Sequence, residues 1–279
     1  MDDRARYLKQ QAELGGSEVV VSARAVVHVE APKSAAPDRP ASPRAHPREE
    51  QRATPPAPRS TPPEPAGADW RKGAPPIPGP GLSVLPPAFA AGDDRSQLAT
   101  LDAVAAMVRE CRRCPLCEGR TNAVPGEGDP AARLVVVGEG PGQTEDQTGR
   151  PFVGRAGELL DKILLSIQVP RTSAFILNIV KCRPPQNRAP LPDEIAACAP
   201  YLHRQLALLR PKVIIAAGTT AAGALLQSRK SLGQLRGQVH RYGDVPLVVT
   251  YHPAALLRNP NWKKPTWDDV RIARQLLDA

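Results

Sequence analysis

Beyond about residue 96, short and nearly continuous apolar runs alternate with longer stretches whose apolar positions recur every three to four residues. The runs are 133–137 (RLVVV), 174–180 (AFILNIV), 212–217 (KVIIAA) and 247–251 (LVVTY). Runs of this length without polar alternation predict strands covered on both faces, as in a parallel sheet. Segments 97–110, 157–167, 193–209, 219–226 and 266–277 carry helical spacing. Alternation of the two kinds predicts a three-layer α/β/α sandwich around a mostly parallel, four-stranded sheet. Ligands of such sheets bind beyond the carboxyl ends of the strands. GEGPG follows the first run, NIVKCRPP closes the second, and GTT and HP follow the third and fourth. The polar and glycine-rich segments therefore converge on one end of the sheet.

The first third of the chain has another texture. Residues 1–15 have the spacing of a short amphipathic helix ended by Gly15-Gly16, within an N-terminal segment 1–30. Residues 31–90 hold 17 of the 33 prolines and few large apolar side chains. Such a stretch buries too little surface to offset its conformational entropy, so 31–95 is expected to be a disordered linker with polyproline II character. It is a spacer or a site for a protein partner. Residues 96–279 are then the folded domain, large enough for a substantial core.

Charge follows the same division. Residues 1–95 carry 13 Lys/Arg against 12 Asp/Glu, and residues 96–279 carry 24 against 16. A basic folded domain points to a polyanionic partner. No apolar run reaches the length of a membrane span, and the charged N-terminus lacks the apolar core of a secretory signal. Cytoplasmic localisation and no membrane association are the expectation. Five cysteines in such a chain favour metal binding or catalysis over disulfides.

Those thiols are Cys111, Cys114, Cys117, Cys182 and Cys198. CRRCPLC overlaps two C-x2-C pairs, but the second knuckle of a zinc ribbon is absent. An iron–sulfur cluster needs four thiolates and tolerates scattered spacing. The bland alternative is a set of unrelated buried cysteines.

GEGPGQTED (138–146) is not a Walker-type loop, and Glu139, Glu145 and Asp146 would repel phosphate. It reads as a tight turn or as a loop fitted to a neutral heterocycle or to general-base work. Asn178, at a strand end, is either a capping residue or a reader of uracil, whose O4 and N3–H match an amide that donates and accepts at once. Phe152, in GRPFVG, plugs the core or stacks on a base. His252 begins the loop after the fourth strand and is structural or catalytic. Arg258, Lys263 and Lys264 form a phosphate-contacting rim or a solvated basic face.

GEGPGQTEDQTGRPFVGRAG, NIVKCRPPQNRAPLPDE and YHPAALLRNP resemble the family 4 uracil-DNA glycosylases, the iron–sulfur-containing branch of their superfamily. The resemblance covers about Cys111 to the C-terminus. It implies a monofunctional enzyme, acting as a monomer, that flips uracil from single- or double-stranded DNA and hydrolyses its N-glycosidic bond. It implies a [4Fe–4S] cluster on Cys111, Cys114, Cys182 and Cys198, leaving Cys117 as the spare thiol. Gly138 and Gly140 would contact the base through their backbone, Phe152 would stack on it, and Asn178 would read its edge. Glu145 would sit near C5 and exclude a thymine methyl, and His252 would stabilise charge on uracil O2. The water-positioning Asp of better-known relatives is replaced by Gly140, so Glu139, with Asn187 as the alternative, is expected to hold the water. Two other classes compete. One is a branch that traps uracil-DNA covalently, whose His-containing insertion is replaced here by QNRAPLPDE. The other is an iron–sulfur DNA-binding module without chemistry, which needs no Glu139, Asn178 and His252 in register.

Overall fold

The computed structural model describes residues 69–279. The expected helix at 1–15 and most of the expected linker lie outside the described residues.

Seven strands form one sheet in the order β1-β6-β7-β5-β3-β4-β2. They are β1 (Pro80–Val84), β2 (Glu127–Gly128), β3 (Leu134–Gly138), β4 (Ala174–Asn178), β5 (Val213–Ala217), β6 (Val239–Tyr242) and β7 (Val245–Thr250). The four apolar runs are the adjacent strands β7, β5, β3 and β4, paired in parallel. Their side chains alternate between two cores. Val135, Val137, Ile214 and Ala216 face one core, while Leu134, Val136, Val213 and Ile215 face the other. Burial on both faces explains the continuous hydrophobicity of these strands.

The first core is closed by α1 (Leu101–Glu110), α5 (Pro192–Leu209) and α6 (Thr219–Leu226), and the second by α4 (Arg155–Ser166) and α9 (Lys263–Asp278). Short helices α2 (Leu116–Gly119), α3 (Gln143–Thr148), α7 (Leu232–Leu235) and α8 (Pro253–Arg258) lie in the connections. The three-layer α/β/α class is as expected. Thr100 caps α1 by accepting from the Ala103 amide, which shortens the helix expected from residue 97. Among the described residues no helix is long and apolar enough to cross a membrane.

Two expectations are corrected. The sheet has seven strands rather than four, because β2 and β6 add antiparallel partners to β4 and β7, and β1 adds a parallel edge beside β6, each too short or too mixed to form a continuous apolar run. Residues 69–95 are also part of the fold rather than linker. β1 pairs in parallel with β6, and its Leu82 amide donates to Nδ1 of the fully buried His240 at 2.9 Å. His240 Nε2 in turn lies 2.7 Å from the Leu235 carbonyl, which places the ring proton there. Trp70 is 2% exposed, and the segment behind it is tied to α9 by Arg271 and Gln275, which donate to the carbonyls of Lys72 and Pro75. Averaging composition over the proline-rich window hid one buried tryptophan and a five-residue strand.

Candidate active site

The first strand of the pair that builds the site, β3, ends at Gly138, directly opposite Asn178 at the end of β4. The chains stay joined past the strand ends, where the amides of Ile179 and Val180 donate to the carbonyls of Gly138 and Glu139. Asn178 is 1% exposed, and its Oδ1 has no hydrogen-bond partner among the described residues. A Cβ on Gly138 would collide with that oxygen and with the Phe152 ring. Only a residue without a side chain at 138 lets the Asn178 amide and the edge of the Phe152 ring close in over the strand end. Gly140, half-buried, lies over Val180 and Pro184.

Phe152 occupies this place at a conformational cost. Its φ is +51°, a region that non-glycine residues seldom adopt. Two clamps hold the loop. Glu145 Oε1 accepts from the amides of Val153 and Gly154, both at 2.9 Å, and its Oε2 accepts from Gly142 at 3.1 Å. From the other side, the Arg171 guanidinium donates to the carbonyls of Pro151 and Phe152 and pairs with Asp161. The Glu145 carboxylate is therefore committed to backbone amides of the loop that carries Phe152. Arg171 was not singled out from the sequence; an isolated Arg before a strand carries no motif.

His252 packs beside Phe152, its ring centroid 5.4 Å from that of Phe152 and tilted by 32°. Its Nδ1 accepts from the Ala254 amide at 3.2 Å, capping α8 and leaving the proton of the neutral ring on Nε2. Nε2 is buried and unpartnered among the described residues. Burial, aided by the nearby Arg258, pushes the imidazole down to about 4 against an opposing pull from Glu145. At neutral pH the ring is an uncharged donor. The site therefore presents one unpaired acceptor, on Asn178, and one unpaired donor, on His252.

Glu139 is half-buried, and its Oε2 accepts from Thr220 Oγ1. Asn187 is exposed, with φ +55° and its Oδ1 bonded to Arg183 at 2.8 Å. Arg258, Lys263 and Lys264 are exposed beyond His252, with Lys264 3.4 Å from Asp268.

All five cysteines line one small cavity between α1, the CRRCPLC loop, the segment after β4 and α5. Arg120 donates to Cys182 Sγ at 3.0 Å, and the Lys181 amide donates to Cys198 Sγ at 3.3 Å. Burial raises the thiols of Cys114 and Cys182 and drives Cys198 up to about 12. Among the described residues no three Cys, His, Asp or Glu side chains form a single-ion site. The donor set nonetheless suits a cluster of irons, which is commonly held by four thiolates and spaces them more widely than one ion does. Donors aimed at two of the sulfurs fit thiolate charge.

The sequence model of the uracil DNA glycosylase superfamily matches residues 125–273, from the approach to β2 into α9. Over 186 residues the chain is 44% identical to the type-4 uracil-DNA glycosylase of Sulfurisphaera tokodaii, covering 63% of this chain and 84% of that one. It is 46% identical over 181 residues to the type-4 enzyme of Thermotoga maritima, covering 63% and 94%. With the type-5 uracil-DNA glycosylase of Thermus thermophilus the identity is 35%, over 46% of this chain and 68% of that protein. With matches of this extent running through the very strands and loops that build the site, the chain belongs to the uracil-DNA glycosylase superfamily, in its type-4 branch.

Proposed function

We propose that this chain, acting as a monomer, flips uracil out of DNA and hydrolyses its N-glycosidic bond, releasing free uracil and leaving an abasic site. One observation carries this reading: the buried Oδ1 of Asn178 and the buried Nε2–H of His252, both beside Phe152, have no partner among the described residues. Buried polar groups are costly to leave unpaired, so a ligand that supplies the missing partners is favoured. Uracil offers N3–H to Asn178 Oδ1 and O4 to the same amide's N–H, while its O2 accepts from His252. Cytosine presents a lone pair at N3 and an amino group at C4, so both contacts to the amide would be reversed in sign. A flat base enters beside Gly138 and stacks on Phe152, with backbone from Gly138 and Gly140 along its edge.

A base in a duplex must leave the stack before it reaches such a site, which costs least where uracil is mispaired or single-stranded. As the C1′–N1 bond breaks, its electron pair passes to uracil, and the neutral His252 donates to O2, where the charge accumulates. A preorganised donor of this kind is commonly worth ~10²–10³ in rate. Glu139 holds the water that attacks C1′ and stabilises the cationic sugar. The water's proton leaves through Glu139 to solvent, and the uracil anion takes one proton from solvent. Asn187 is exposed and bonded to Arg183, which favours Glu139 for the water. Glu145 acts on base selection through the Phe152 loop. Arg258, Lys263 and Lys264 supply phosphate contacts. Lys181, the lysine next to Asn178, is fully buried with its Nζ donating to the Asn178 carbonyl at 2.9 Å, so no imine to the sugar is called for.

Cys111, Cys114, Cys182 and Cys198 are the ligands we assign to a [4Fe–4S] cluster, with Cys117 the spare thiol of the same cavity. Its chemistry there is that of a covalent cross-link, joining the end of α1, the segment after β4 and α5.

The deciding experiment is uracil release from single-stranded and U:G oligonucleotides, with alkaline cleavage of abasic sites and a denaturing gel for adducts. Multiple-turnover release is expected. A gel-stable adduct without turnover would move the chain to a covalent trap, and binding without either product would make it a non-catalytic module. Iron content and visible absorbance, lost in Cys114→Ser, test the cluster separately.

A further inference from the structure

Of the four segments at the carboxyl end of the sheet, the one after β5 has no part in the mechanism above, yet it touches both reacting side chains. Gly218 turns the chain at φ +94°, its amide donates to the Thr250 carbonyl at 2.8 Å, and a Cβ there would stand 3.1 Å from the Cβ of His252. Two residues on, in the first turn of α6, Thr220 Oγ1 donates to Glu139 Oε2. Among the described residues Oε1 of Glu139 makes no hydrogen bond.

We infer that Thr220 is a positioning residue: its hydroxyl fixes the Glu139 carboxylate in one rotamer and occupies one oxygen, so that the other is presented to the attacking water. The inference rests on the reading of Glu139 given above. A glutamate on a glycine-flanked loop otherwise samples several rotamers, and only one directs an oxygen at the sugar. A hydroxyl suits the task because it donates to an ionised carboxylate without adding charge beside the developing cation. The same turn fixes the spacing between Glu139 and His252, since one short segment meets both.

The test compares single-turnover uracil release by the full-length protein and its Thr220→Val, Thr220→Ser and Glu139→Ala variants, with Thr220→Val also placed in the Glu139→Ala background. Valine keeps the shape of threonine and removes the donor, so a fall of about 10- to 100-fold is expected. Binding of free uracil should be unchanged, because Glu139 does not hold the base. Serine restores the donor and should return the rate to within about threefold of wild type, a recovery that a packing role would not give. In the Glu139→Ala background the valine substitution should cost nothing further, because coupled residues are not additive. A wild-type rate for Thr220→Val, no rescue by serine, or an equal loss in both backgrounds would overturn the inference. If Glu139→Ala itself keeps the wild-type rate, the assignment of Glu139 fails, and the role of Thr220 with it. A slow Glu139→Ala beside a fast Thr220→Val removes Thr220 alone.

Discussion

Gly138 stands opposite Asn178 where β3 and β4 end, close enough that a methyl group at 138 would strike the Asn178 amide oxygen and the Phe152 ring. Gly138→Ala should therefore push the Asn178 amide and the Phe152 ring out of place while leaving strand pairing intact. Uracil release is expected to fall by at least ~10²-fold, the scale of losing one preorganised contact. Circular dichroism melts should show a much smaller effect; a variant that folds and cleaves normally would mean that the base binds elsewhere.

Asn178→Ala separates function from stability. The substitution removes a buried acceptor that has no partner among the described residues, so folding loses little or gains. Activity should nonetheless drop by ~10²–10³-fold. Parallel measurement of the denaturant midpoint and the single-turnover rate tests both halves.

Glu145→Ala leaves the amides of Gly142, Val153 and Gly154 without their acceptor. A destabilisation of about 3 kcal/mol is expected, the order for charge-assisted bonds lost at a buried carboxylate. KM should rise as Phe152 relaxes from its positive φ. Glu145→Gln keeps the amide acceptor and should recover part of both.

The histidines set a pH dependence. Burial holds His252 and His203 down to about 4 in the folded protein. In the unfolded chain they protonate near 6.5. Between these values the unfolded state binds more protons, so stability falls as pH drops from about 6.5 towards 4, by up to ~1.4 kcal/mol per pH unit for each histidine. Above 6.5 this contribution is constant. His252→Asn should flatten the slope in denaturant titrations, and wild-type uracil release should show no loss near pH 6.5 from charging of His252.

Trp70→Ala tests the ordered N-terminal segment. A fully buried tryptophan commonly costs about 3–5 kcal/mol on truncation, whereas a linker residue costs almost nothing. Thermal melts distinguish the two outcomes.

The apolar runs were enough to specify the four central strands, their order of appearance and their parallel pairing, because a strand buried on both faces must be hydrophobic throughout. The same runs placed Gly138, Asn178, Gly218 and His252 at one end of the sheet, since a parallel sheet gathers its carboxyl ends. The cysteine spacing likewise pointed to a shared site that the cavity beside α5 brings together. What the pattern did not contain was anything held by single contacts at a distance. β1 depends on pairing with β6, far along the chain, and on a hydrogen bond to the buried His240, and Trp70 on a surface made by the last helix. The clamp of Arg171 on the Phe152 loop and the bond from Thr220 to Glu139, 81 residues apart, have no local signature at all. Periodicity reports which face of an element is buried. Which atom then meets which is decided only when the elements pack, because a hydrogen bond depends on ångström-scale placement that sequence separation does not encode.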